Sequence, residues 1–187
     1  MSFTLKDFFH QEFRTKGLDI SNDPFIHALE IALFSDKSLF LTGRAGTGKT
    51  TFLHTLRRLN SAKNMVVLAP TGVAAINAKG KTIHSFFKID HRQIYLPGDP
   101  RLQVQTVSKG VSIFSTFHFQ KKQLDAIRRM DLLVIDEISM VRVETLDVID
   151  QILRVFRRKM YLPFGGVQLI LIGDPFQLPP VVKPFQW

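Results

Sequence analysis

The run Gly43-Arg44-Ala45-Gly46-Thr47-Gly48-Lys49-Thr50 limits what this chain can become more than any other feature. It fits in full the phosphate-binding pattern of a glycine, four free positions and then Gly-Lys-Ser/Thr. Glycines let a backbone wrap an anion with its N–H groups pointing inward. Such a loop needs a strand to deliver it and a helix to leave it, because the positive end of the helix dipole favours the phosphate. The flanks agree. Ser38 to Thr42 is a short apolar strand, and Thr50 to Leu59 carries Phe52, Leu53, Leu56 and Leu59 at helical spacing. Lys49 is expected to reach the β and γ phosphates of ATP and Thr50 to hold Mg²⁺. Gly43, Ala45, Gly46, Thr47, Gly48 and Thr51 complete the candidate cradle.

Along the rest of the chain, apolar strands alternate with helical patterns, which predicts a mostly parallel α/β sheet flanked by helices. Asp23-Pro24 opens a helix with Phe25, Ile26, Leu29 and Leu33 on one face. Met65 to Ala69 is a buried strand stopped by Pro70-Thr71-Gly72, and a small-residue helix follows over Val73 to Ala78. From Lys88 to Gln120 the periodicity fails around Pro97-Gly98-Asp99-Pro100, as expected of an insertion at the sheet edge. Lys121 to Met130 is a basic helix leading into the strand Leu132 to Ile135. Leu146, Ile149, Ile152, Leu153 and Phe156 mark an amphipathic helix, and Val167 to Ile172 a last strand. The expected organisation is therefore 1–87 and 121–187 as two parts of one motor domain, with 88–120 as a small inserted subdomain.

Two further motifs carry chemistry. Leu132-Leu133-Val134-Ile135-Asp136-Glu137 ends an apolar strand in two carboxylates, at the sheet edge where the phosphate loop also lies. Asp136 is expected beside the Mg²⁺ hydration shell, and Glu137 as the base that orients the attacking water. Gly173-Asp174-Pro175-Phe176-Gln177-Leu178-Pro179-Pro180 follows the last strand. The Gln177 amide both donates and accepts hydrogen bonds, as a γ-phosphate sensor must; a rigid proline turn is the plainer alternative. Pro70-Thr71-Gly72 and Thr82-Ile83-His84-Ser85-Phe86-Phe87 offer hydroxyls, amides and an aromatic ring to nucleic acid. A Phe pair is more often core, however, and a lone His more often structural.

Charge is consistent with a polyanionic partner: 25 basic against 16 acidic residues give a formal net charge of +9. There is no cysteine, so disulfides and thiolate metal sites are excluded. The N-terminus lacks the basic start and apolar run of a signal peptide. No apolar stretch is long enough to span a membrane. An intracellular protein is expected, cytoplasmic if bacterial and nuclear or mitochondrial if eukaryotic.

Taken together and in order, GRAGTGKT, APTGVAAINAKGKTIHSFF, VIDEISM and GDPFQLPPV resemble helicase superfamily one, and within it the petite-integration-frequency family of 5′-to-3′ DNA helicases, related to the RecD-like helicases. The segment LDVIDQILRVFRRKMYLPFGG also resembles that family's own signature. The resemblance implies a RecA-like P-loop domain that hydrolyses ATP, moves along single-stranded DNA and unwinds duplexes, forks and G-quadruplexes. It further implies roles in repair, recombination or telomere maintenance, and action as a monomer. It assigns Lys49, Thr50, Asp136, Glu137 and Gln177 to the nucleotide site. Pro70, Thr71, Gly72, His84, Ser85 and Phe86 would touch single-stranded DNA, and the insertion over 88–120 would be a wedge at the duplex junction. The family also places a glutamine upstream of the phosphate loop to read adenine, and Asn22-Asp23-Pro24-Phe25-Ile26-His27 has none. A second motor domain with a catalytic arginine is implied beyond this sequence, which on that reading is a fragment. Two other classes compete: a nucleotide-dependent switch or scaffold that does not translocate, and a P-loop ATPase with no role on DNA.

Overall fold

Leu132–Ile135 (β4) is buried at all four positions, as a strand covered on both faces requires. It lies at the centre of a computed structural model that describes residues 22–90, 95, 98–104 and 112–177. The N-terminal start, Pro97 of the irregular region, and the chain from Leu178 onward lie outside the described residues.

Five parallel strands form one sheet in the order β1-β5-β4-β2-β3. They are Leu39–Thr42 (β1), Met65–Ala69 (β2), Lys81–Thr82 (β3), β4 and Gln168–Gly173 (β5). The helices are Asp23–Phe34 (α1), Lys49–Leu59 (α2), Gly72–Asn77 (α3), Ile83–Phe87 (α4), Ile113–Thr116 (α5), Lys121–Arg129 (α6) and Val143–Phe156 (α7). Strand side chains alternate between faces, so each strand feeds two cores. Leu132, Val134, Ile170 and Ile172 pack with α1 and α2 through Ile26, Leu29, Phe52, Leu53 and Leu56. Leu133, Ile135 and Leu169 pack on the other face with α4, α6 and α7.

Local chemistry sets the boundaries. Asn22 Oδ1 accepts from Phe25 N at 3.1 Å and caps α1, with Pro24 in the first turn where its missing N–H is harmless. In α7, Val148, Ile149, Ile152, Leu153 and Phe156 form the buried stripe. Asp150 serves two partners: Oδ2 accepts from Arg154 Nε at 2.7 Å and Oδ1 from Phe164 N at 2.5 Å. Arg157 donates Nε to Gly165 O at 3.0 Å. Its Nη1 donates to the carbonyls of Ile127, Arg128 and Met130, placing a cation on the C-terminal end of α6. The segment from Leu146 to Gly166 is thus a joint that locks α6 and α7 to the strands that follow them.

The irregular region does not make a core of its own among the described residues. Tyr95, Leu102, Ile113 and Phe117 are buried in the same cluster as α4, α6 and α7. Arg101 bridges Asp99 and lies 4.5 Å from the Tyr95 ring centroid. No helix among the described residues is long and apolar enough to cross a membrane.

Candidate nucleotide site and nucleic-acid edge

All five strands are parallel, so their C-terminal ends open on one edge of the sheet. The register aligns Thr42 with Gly173, Leu171 with Ile135, Ile135 with Leu68, and Ala69 with Thr82. Read across that edge, the loops come in the order phosphate loop, Gly173–Gln177 turn, Asp136-Glu137, Pro70–Gly72, and Thr82–Ser85. The first three hold the nucleotide candidates and the last two the DNA candidates. Strand β5, inserted between β1 and β4, sets the Gln177 turn between the loop and the carboxylates.

The phosphate loop turns into α2 at Gly48, whose φ of 94° favours glycine. No side chain caps that end of α2 and no acidic residue lies in its first turn. The amides of Lys49, Thr50 and Thr51 are therefore available to an anion, with the helix dipole behind them. Lys49 Nζ donates to Gly43 O at 2.5 Å and Arg44 O at 2.9 Å. Thr47 Oγ1 also bonds Arg44 O, at 2.8 Å, which ties the loop to itself. Thr50, Asp136, Glu137 and Gln177 line one cleft of about 790 Å³, which runs on to Thr71 and Asn77 of the α3 region. Ala45 and Gly46 lie exposed in the loop.

The carboxylates are held under tension. Burial raises the pKa of Asp136, with partial relief from the Glu137 N–H bond, Lys49 and His54. Burial also raises Glu137, and the Asp136 charge raises it further, while Lys49 offsets part of this. Glu137 moreover has a φ of 53°, the left-handed region where a non-glycine residue is strained. A site rich in carboxylates and short of positive charge suits a divalent cation. Thr50 and Asp136 are the residues that would hold it.

This tension predicts a stability effect. A carboxyl with a raised folded pKa binds its proton more tightly in the folded chain than in the unfolded one. Its penalty is absent below the ordinary carboxylate value, grows as pH rises towards the raised value, and is full above it. Asp136→Asn should therefore stabilise the chain at neutral pH while weakening Mg²⁺-dependent nucleotide binding. Solvent screening of this half-buried group holds the gain to about 1 kcal/mol or less. That is a rise of up to about 2–4 °C in thermal midpoint at this length. A lower midpoint at pH 7 would show that the charge supports the fold instead.

Sequence reading gave Asp174 no role, yet it organises the sensor turn. It is 5% exposed. Its Oδ1 accepts from Phe176 N at 3.0 Å and its Oδ2 from Gln177 Nε2 at 3.2 Å. The available signal was the Asp-x-x-Gln spacing of an Asx turn.

The DNA candidates divide. Thr71 caps α3 by accepting from Ala74 N at 3.2 Å, and Gly72 beside it is exposed; Pro70 is half-buried. Ser85 is exposed and His84 half-buried on α4. Phe86 must be corrected: it is 4% exposed and meets Phe87 edge-on at 5.0 Å. A ring packed in the core has no free face for a base. Phe86→Ala should cost about 3–5 kcal/mol in urea unfolding and leave single-stranded DNA affinity unchanged where the chain is folded. Lost affinity at unchanged stability would restore the stacking role.

A family model described as PIF1-like helicase matches residues 26–186. The ATP-dependent DNA helicase PIF1 of Saccharomyces cerevisiae is 40% identical over 152 residues, covering 78% of this chain and 16% of that protein. The ATP-dependent DNA helicase Pif1 of Bdellovibrio bacteriovorus is 35% identical, covering 82% of this chain and 32% of that protein. A crystal structure of a Bacteroides Pif1 helicase with ADP-AlF3 and single-stranded DNA superposes with a TM-score of 0.74 at 41% identity, over 88% of this chain and 34% of that one. The chain thus spans between about a sixth and a third of these relatives.

Proposed function

Because the chain belongs to the PIF1-like helicase family, we propose that it is the ATP- and single-stranded-DNA-binding motor domain of a 5′-to-3′ DNA helicase. The observation that carries this reading is the single sheet edge on which the phosphate loop, two acid residues and Gln177 adjoin the Thr71 and Thr82 loops. One edge then serves both ligands, so a shift at the γ-phosphate has a short path to the DNA. Its place in the cell would be intracellular, in repair, recombination or telomere maintenance, acting on forks and G-quadruplexes.

In the proposed reaction, Lys49 exchanges the carbonyls of Gly43 and Arg44 for β- and γ-phosphate oxygens. The first-turn amides of α2 take further phosphate oxygens. Thr50 and Asp136 would hold Mg²⁺, which would neutralise charge on the phosphates. Glu137 accepts a proton from water as the oxygen bonds the γ-phosphorus and the bond to the ADP oxygen breaks. A raised pKa makes Glu137 a stronger base than an ordinary carboxylate. Gln177 reads the γ-phosphate from the neighbouring turn. The segment over 88–120 is proposed as the wedge at the duplex junction.

The test is made on a protein of the relatives' full length. ATP turnover should rise on adding single-stranded DNA, and forked duplex should be unwound from a 5′ tail. Nucleotide binding without DNA-stimulated turnover would make the protein a switch. Turnover indifferent to DNA would remove the nucleic-acid role.

A further inference from the structure

Ser139 sits in the single 3₁₀ turn Ile138–Met140 that follows Glu137. Its Oγ is buried and has no hydrogen-bond partner among the described residues. Buried hydroxyls rarely stay unpaired, and those that do at a functional site call for an explanation. The turn lies hard against the end of β5: a Cβ added at Gly173 would meet Ile138 N at 3.2 Å and Ser139 N at 3.3 Å. Asp174, the next residue, is 5% exposed, and its Oδ2 is held by Gln177 Nε2 at 3.2 Å.

These facts fit together as a donor exchange. If Gln177 turns its amide to a γ-phosphate, Asp174 Oδ2 loses its donor while buried, which is unfavourable for an acceptor with a full charge. Ser139, whose backbone N lies 3.3 Å from a Cβ placed at Gly173, has a hydroxyl proton to donate and no acceptor among the described residues. We infer that Ser139 is a positioning residue that takes over the Asp174 carboxylate when Gln177 releases it for the γ-phosphate. The Gln177 N–H bond to Oδ2 breaks, an O–H bond from Ser139 to Oδ2 forms, and no group is left unpaired. The loop carrying Glu137 and the turn carrying Gln177 are then tied more firmly with a triphosphate bound than with a diphosphate.

This inference rests on the proposed sensing role of Gln177, and one set of titrations separates the two. Calorimetry with Mg·ADP and Mg·ATPγS gives the preference of the protein for a γ-phosphate. Gln177→Ala should abolish that preference. Ser139→Ala should reduce it about tenfold, the scale of a hydrogen bond to a charged group, through weaker ATPγS binding. Its thermal midpoint should be unchanged or higher, since an unpaired buried hydroxyl has been removed. In the Gln177→Ala background, Ser139→Ala should do nothing more. A preference that survives Gln177→Ala overturns the sensing role, and this inference with it. A preference lost in Gln177→Ala but kept in Ser139→Ala overturns the inference alone. Equal weakening of both nucleotides with a lowered midpoint would make Ser139 merely structural.

Discussion

Replacing Glu137 by Gln should lower the DNA-stimulated turnover proposed for a protein of the relatives' length by about 10²–10⁴-fold, the usual contribution of a general base. ATP should bind the variant at least as tightly as before. The amide has the shape of the carboxylate and fits the same left-handed backbone, at a φ of 53°. It cannot take the proton of the attacking water. The substitution also removes a charge that Asp136 and Asp174 both oppose, so the resting site is relieved rather than disturbed. The pH profile gives an independent check. As the proposed base, Glu137 would act deprotonated, and burial raises its pKa, so the acid limb of kcat/KM should lie above the ordinary carboxylate range. That limb should vanish in the variant. Full turnover in Glu137→Gln, or a higher KM at unchanged kcat, would remove Glu137 from the chemistry.

Much of the fold was legible because its elements carry explicit chemical punctuation. Asp23-Pro24 announced α1, with the Asn22 cap visible only in the structure, and the phosphate loop fixed both the end of β1 and the start of α2. β4 was legible as an unbroken apolar run ending in acid. The parallel arrangement followed from alternation, but the strand order did not. That β5 lies between β1 and β4 is a matter of long-range pairing, and no local pattern encodes it. β3 was missed because two residues, Lys81 and Thr82, are too few for a period. The region after Lys88 read as an insertion at the sheet edge because its apolar residues are scattered. Tyr95, Leu102, Ile113 and Phe117 enter the main core one at a time, without a shared helix or strand.

At the site, motif residues were legible where spacing alone determines position, as in Lys49 and Asp136. Burial was harder to read. Phe86 and Ser85 are adjacent in one motif, yet one is in the core and the other is exposed. The five-residue helix α4 turns them to opposite sides, and its brevity hides that from a periodicity argument. Asp174 was overlooked for a related reason. Its contribution lies in two hydrogen bonds made inside its own turn, visible only once the turn is folded.

The central claim is that Gly43 to Thr50 binds a Mg²⁺-nucleotide phosphate through Lys49. The ammonium is already at the loop, bonded to the Gly43 and Arg44 carbonyls, so reaching a phosphate exchanges neutral acceptors for charged ones. Hydrogen bonds to charged groups are worth about 1.5–3 kcal/mol each. Losing the ammonium should therefore weaken binding on the order of a hundredfold or more. Truncation to alanine leaves Gly48 and the α2 stripe untouched, so the fold should survive with a similar thermal midpoint. The direct measurement is calorimetric titration of the 187-residue chain and its Lys49→Ala variant with ATPγS, with and without Mg²⁺. The account predicts Mg²⁺-dependent binding by the parent and near-complete loss in the folded variant. A folded Lys49→Ala chain that binds as tightly as the parent would contradict it.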